Sequence, residues 1–209
     1  MRYVINADPR LQLQKPYELI AAPEVVYFAG DITEETSVEF RRDLEVAEHN
    51  ALAAGQEILP ICIDSAGGCL YSLMGMIDSI EACSIKIATV VESKAMSAAA
   101  ILLTCGDKNH RYMGPNATIM LHSASGGLQG TIEEVETNAR ELKRLDQIAN
   151  ELMSRNCGKK KTFFAEQTKE HGPEWYIGAK EAKRIGLISH VGIPILETNI
   201  TVEHHLKIK

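Results

Sequence analysis

The segment Ile58-Leu59-Pro60-Ile61-Cys62-Ile63 is nearly all apolar and leads into Gly67-Gly68. A short apolar run without alternation suits a strand buried on both faces, as in a parallel sheet covered by helices. The rest of the chain fits that reading. Strands are expected at 24–29, 85–91, 110–112, 118–121 and 187–191. Helices are expected at about 34–54, with Thr33 as cap and Gly55 as stop, and from Gly67-Gly68 to about 81. Further helices are expected from Ser97 to Thr104, at about 131–156, at about 161–170 and at 179–185. Thr131-Ile132-Glu133-Glu134 is a capping box opening the longest of them. Val38, Leu44, Ala47 and Ala51 fall near one face of the first helix. Strands alternating with helices define an α/β class with a largely parallel sheet.

The chain has 209 residues, which makes one domain the default. Residues 1–23 show no period and carry Pro9, Pro16 and Pro23, so they read as a loosely structured arm. The tail, 193–209, has no assigned element. A net charge of −6 argues against nucleic-acid binding. The five cysteines are odd in number and three lie in apolar segments, which suits free thiols in a reducing compartment. Cys62 and Cys69 do not have metal-ligand spacing, and no metal site is expected. No run approaches the roughly 20 apolar residues of a membrane span. No secretory or transit signal is recognisable at the N-terminus, so a soluble, cytoplasmic protein is expected.

Three segments carry the chemistry. Lys94-Ala95-Met96-Ser97-Ala98-Ala99-Ala100 brings a serine into a small-residue helix. Met120-Leu121-His122 brings a histidine off the end of an apolar strand. Ser65-Ala66-Gly67-Gly68 provides backbone N–H groups that no side chain covers. A hydroxyl, a base and free N–H donors are what acyl transfer needs. Ser97 is the candidate nucleophile, with N-capping as the plainer role. His122 is the candidate base, with a structural histidine as the plainer role. The N–H of Ala98, at the helix start, is one candidate oxyanion donor. Gly67-Gly68 offers another, or simply a tight turn. Spacing alone does not choose an orienting acid among 28 acidic residues. Lys94, three residues before Ser97, reads as a solvated turn lysine rather than half of a Ser–Lys dyad.

The order of these segments resembles the ClpP family, the proteolytic subunits of the ATP-dependent Clp protease, within the ClpP/crotonase superfamily of serine peptidases. The resemblance covers roughly residues 24–192. It rests on Phe28-Ala29-Gly30-Asp31-Ile32, Ser65-Ala66-Gly67-Gly68, Ala95-Met96-Ser97, Leu102-Leu103-Thr104-Cys105-Gly106 and Arg111-Tyr112-Met113-Gly114-Pro115-Asn116. Met120-Leu121-His122, Gly126-Gly127-Leu128-Gln129-Gly130 and Glu181-Ala182-Lys183-Arg184-Ile185-Gly186-Leu187 continue it. No single piece is specific; their joint order and spacing is.

The resemblance implies a fold of repeated β-β-α units with a helical handle, here 123–157, that packs ring on ring. It implies Ser97 as nucleophile, His122 as base, and Gly68 and Ala98 as oxyanion hole. Gly67 and a glycine-rich strand with Gly126, Gly127 and Leu128 would bind substrate, adding a strand to the peptide. The third catalytic member would be Glu174, in Pro173-Glu174-Trp175-Tyr176, where the family has aspartate. Glutamate keeps the charge and adds a methylene, so it orients His122 only where the backbone retreats by about one bond length. Other departures are Ala66 for the usual proline, Ser93 for a frequent glycine, and Ser123-Ala124 after His122.

The implied assembly is two stacked heptameric rings of this chain, with a paralogous subunit as a variant arrangement. The arm, 1–23, would line the axial pore. The implied partner is a hexameric AAA+ unfoldase of the Clp family, which uses ATP and delivers unfolded protein; the subunit itself needs no cofactor. Ile132, Val135, Leu142, Leu145, Ile148 and Leu152 form an apolar stripe on the handle helix for ring contact. Two other functions compete with a working peptidase. One is a catalytically weakened structural or regulatory ring subunit, motivated by Glu174. The other is a crotonase-type acyl-CoA enzyme, against which the Ser97–His122 pairing speaks.

Overall fold

The computed structural model describes residues 22–127 and 129–196. Most of the expected arm, the tail after 196 and the candidate substrate-binding Leu128 lie outside the described residues. Seven strands and six helices follow one another along the described chain.

The sheet is built outward from β2 (Ile58–Ser65), the apolar run that opened the sequence reading. It pairs in parallel with β1 (Val26–Ala29) on one side and β3 (Lys86–Met96) on the other. Leu59, Ile61 and Ile63 on one face are essentially without solvent contact, and Pro60 and Cys62 on the other are buried, as a strand covered on both faces requires. Pro60, which lacks an N–H, sits one residue before β1 begins to pair at Ile61. Between β1 and β2 runs α1 (Glu34–Ala53), capped by a reciprocal Thr33–Thr36 box. Phe40 on α1 meets Phe28 on β1 edge to face, at 5.7 Å between ring centroids. After β2 comes α2 (Leu70–Ala82), whose Leu73, Met76, Ile77 and Ile80 face the core.

Strand β3 is the longest among the described residues and has two partners beyond β2. Thr89–Val91 pair with β4 (Arg111–Met113), and Lys94–Met96 pair with β5 (Thr118–Leu121). The sheet therefore divides along β3. The sequence reading ended this strand near Val91 and placed a turn before Ser97. The structure corrects that: the polar Glu92-Ser93-Lys94 occupies the stretch where β3 changes neighbour, and the strand continues to Met96. Lys94 is accordingly a strand residue, and its ammonium lies 3.0 Å from the Asp64 carboxylate on β2.

Helix α3 (Ala98–Leu103) follows at once, and all six of its residues are buried. Helix α4 (Ile132–Asn156) begins at the expected capping box, with Thr131 and Glu134 satisfying each other's backbone N–H. Leu145, Ala149 and Met153 dock its second half onto the core, whereas Ile132 is 76% exposed. Helix α5 (Phe163–His171) buries Phe164, and α6 (Ala179–Ile185) ends at Gly186 in the left-handed conformation, φ 84°.

Two further elements differ from expectation. A strand β6 (Trp175–Gly178) runs antiparallel to β5, where none was foreseen. The last expected strand shortens to β7 (His190–Val191), parallel to β4. The glycine-rich segment 123–127 forms no strand in this chain. A buried sheet alternating with helices, with α4 projecting from it, is the architecture the sequence called for.

Phe164 has no solvent exposure, and its ring meets Phe163 at 5.0 Å between centroids. Phe164→Ala should cost about 3–5 kcal/mol. For a domain of this size that lowers the melting temperature by on the order of 10 °C. Calorimetry checks this; a shift below about 2 °C would mean that α5 adds little to the core.

Candidate active site

The site begins where β3 becomes α3. Ser97 holds φ 53° and ψ −123°, one of only two non-glycine residues with positive φ among those described. Its backbone N–H donates to the Met120 carbonyl at 2.8 Å, so β5 anchors the turn from the other side. Its hydroxyl makes no cap to the helix it precedes. Instead, Oγ lies 2.7 Å from Nε2 of His122. A β-carbon-bearing residue in this backbone region costs roughly 1–3 kcal/mol and is sustained by its surroundings. Here β3, α3 and β5 all hold it.

Gly67 lies against this turn. It has φ +100°, and a β-carbon on it would stand 2.6 Å from the Met96 carbonyl oxygen and 2.9 Å from the Ala98 nitrogen. Only glycine lets the β2–α2 turn approach so closely. Gly68 forms a parallel bridge with Ile32. Its hydrogen bonds run through the neighbours: Ile32 N–H to the Gly67 carbonyl, 2.7 Å, and Cys69 N–H to the Ile32 carbonyl, 2.8 Å. In such a bridge the residue's own N–H is directed away from its partner. The Ala98 N–H opens α3 and has no intrahelical acceptor. Gly68 and Ala98 both border a cavity of about 370 Å³, together with Ser97 and His122.

The antiparallel ladder of β5 and β6 ends with Leu121 paired to Trp175, and His122 and Glu174 each lie one residue beyond that last pair. The carboxylate does not point at the imidazole. Its Oε2 accepts the Tyr176 hydroxyl at 2.7 Å, and that bond raises the phenol's pKa above its ordinary value. Both side chains are exposed, Tyr176 on β6 and Glu174 immediately before that strand. Beside them, His171 stacks on Trp175 at 4.3 Å between ring centroids.

The Lys94 ammonium is engaged with Asp64, so it forms no pair with Ser97. Gly126 and Gly127 are exposed, with open space where a β-carbon would sit. Among the described residues, no group of three His, Cys, Asp or Glu is arranged to hold a metal ion. No described helix is long and apolar enough to cross a membrane.

Asp146 and Asn150, both on α4 and both lining the cavity, are among the residues that the sequence did not single out. Asp146 Oδ1 accepts the Ala124 N–H at 2.7 Å, fixing the segment that leaves His122. Asn150 donates to the Asp146 carbonyl at 2.8 Å. The signal was present in the spacing. Asp146, Ala149, Asn150 and Met153 fall at i, i+3, i+4 and i+7, which is one helix face.

The architecture is that of the ClpP/crotonase-like fold, with a serine–histidine pair at a strand-to-helix turn. The Clp protease family model matches residues 9–194. The chain belongs to the Clp protease family, which makes it a peptidase by descent.

Cys69 adjoins this turn and differs from the other thiols. Burial works against its ionisation, but hydrogen bonds from the Ser72 backbone and side chain and from the Tyr71 backbone outweigh it and lower its pKa. It is also exposed. Burial raises Cys62 to about 11 and Cys83 and Cys105 to about 12, and raises Cys157 as well. An aromatic disulfide reagent at neutral pH should therefore modify Cys69 first, because the thiolate is the reactive form. Cys69→Ser should remove the fast phase; a fast phase that persists would contradict the assignment.

Proposed function

We propose that this chain is a serine endopeptidase subunit that cleaves unfolded proteins and peptides inside a ring-shaped barrel. The observation that carries the reading is the 2.7 Å approach of His122 Nε2 to Ser97 Oγ at a strained strand-to-helix turn. Ser97 Oγ attacks the peptide carbonyl carbon while His122 Nε2 takes its proton. The Gly68 and Ala98 N–H groups receive the developing oxyanion. The imidazolium then protonates the leaving amine, and a water deprotonated by the same nitrogen releases the acyl group. For Nε2 to accept, the ring proton resides on Nδ1, and Glu174 is the carboxylate that would receive it. That requires Glu174 to leave Tyr176 by side-chain rotation.

Family membership supports a Clp-type assembly with an unfoldase partner. We assign the finer arrangement to two stacked heptameric rings of this chain, with a paralogue as a variant subunit. A hexameric AAA+ partner would consume the ATP, no cofactor is needed in this subunit, and a cytoplasmic location fits. The exposed first half of α4, with Ile132 at its start, suits the handle role between rings. Gly126 and Gly127 would bind the substrate backbone once a peptide lies alongside them.

The Tyr176–Glu174 bond supports a second reading, a ring subunit with weakened catalysis. Three substitutions decide between them. Ser97→Ala should abolish both hydrolysis of short fluorogenic peptides and labelling by a fluorophosphonate. Surviving label would remove Ser97 from the mechanism. Tyr176→Phe frees the carboxylate from a bond to a charged group, worth about 1.5–3 kcal/mol. If that bond competes with His122, the variant should raise kcat about tenfold, and Glu174→Gln should lower it. Unchanged kcat in both variants would place Glu174 outside the catalytic group.

A further inference from the structure

The cavity beside Ser97 has an unusual wall. Its apolar part comes from Leu70, Ile101, Leu121 and Met153. Beyond Ser97 and His122, its polar part comes from Ser125, Thr168 and α4, where Asp146 and Asn150 stand one turn apart. Asp146 uses Oδ1 to accept the Ala124 N–H, and Oδ2 has no hydrogen-bond partner among the described residues. Asn150 uses one N–H of its amide on the Asp146 backbone carbonyl, which leaves its side-chain oxygen as an acceptor and one N–H as a donor. Thr168 donates its hydroxyl to the Phe164 carbonyl. Among the described residues that line the cavity, Asp146 is the one carboxylate, there is no lysine or arginine, and His122 is the one basic side chain.

We infer that this cavity selects substrates with lysine or arginine at the residue whose carbonyl Ser97 attacks. The inference rests on the peptidase reading and names its substrate class. The residue on the acyl side of the scissile bond must place its side chain in the cavity that Ser97 and Ala98 border. An ammonium or guanidinium group has only donors to offer. It meets two acceptors on α4, one of them charged. The methylene stem of either residue lies against apolar surface while its head reaches polar groups. Leu70, Ile101 and Met153 provide that surface. A leucine would fill the apolar part and leave Asp146 facing a chain that offers it nothing. An acidic side chain would be repelled.

The test separates the pocket from the chemistry. Product-like peptides ending in lysine, arginine, norleucine, leucine or glutamate are titrated onto Ser97→Ala protein, which binds without cleaving. Norleucine is the key comparison, because it has an unbranched apolar chain like lysine's stem and no ammonium. Lysine should bind about tenfold tighter than norleucine, as a charge-assisted hydrogen bond implies. Adding Asp146→Asn should erase that ratio, since Oδ1 still accepts from Ala124 while the charge is gone. Asp146→Glu should restore part of it. Raising the salt from about 50 to 500 mM should shrink the lysine preference and leave norleucine in place. That measurement needs no variant at residue 146, so it stands if Asp146→Asn fails to fold. Equal or tighter binding of norleucine, a ratio that survives Asp146→Asn, or no binding of any peptide overturns the inference. A lysine preference in Ser97→Ala protein alongside no hydrolysis by the unaltered chain would leave the pocket standing and remove the peptidase reading.

Discussion

The parallel pairing of β3 with β5 is the contact on which the site depends. It runs through Lys94–Met96 and closes with the Ser97 N–H donating to the Met120 carbonyl. That last bond holds Ser97 in a backbone conformation it would otherwise leave. The same strand delivers His122 two residues beyond Met120. One ladder therefore sets the position of both Ser97 and His122, and the 2.7 Å separation between their side chains follows from sheet geometry rather than from loop fit. Sites built on strands and helices hold their geometry more tightly than sites built on loops.

The division of the sheet explains how the cavity beside Ser97 arises in such a densely packed protein. Below Val91, β3 lies between β2 and β4 and is covered on both faces. Above it, β5 replaces β4, and the sheet opens toward α4. Gly67 and Gly68 bring the β2–α2 turn into that opening, at a distance no side chain would tolerate. The cavity is thus bounded by one sheet edge, two tight turns and one helix. Each boundary has a separate structural cause.

The sequence revealed the buried elements better than the exposed ones. Ile58–Ile63 read as a strand because burial on both faces imposes an unbroken apolar run. Thr131 and Glu134 marked the start of α4 because capping chemistry is local. Glu92-Ser93-Lys94 misled because polar residues signal a turn, yet a strand accepts them where it changes partners. Trp175–Gly178 is too short to show a period, and its pairing with β5 is a long-range event. Ser97, His122, Gly67 and Gly68 were legible as candidates from their setting. The direction of the Glu174 side chain was not, since it depends on a hydroxyl two residues away and on nothing in the spacing. Asp146 was hidden among the many charges of α4, although its helical neighbours Ala149 and Met153 are apolar.

Strand β6 has a consequence for how the molecule is made. The strand that carries His122 has one partner, β3, within the first 121 residues of the chain, and its other edge stays open until Trp175–Gly178 arrives. An open edge is free to slip or to pair wrongly. A ribosome must therefore have delivered most of the chain before β5 is fixed from both sides. The order of synthesis acts as a delay, so a half-made chain carries Ser97 and His122 without the strand that braces β5.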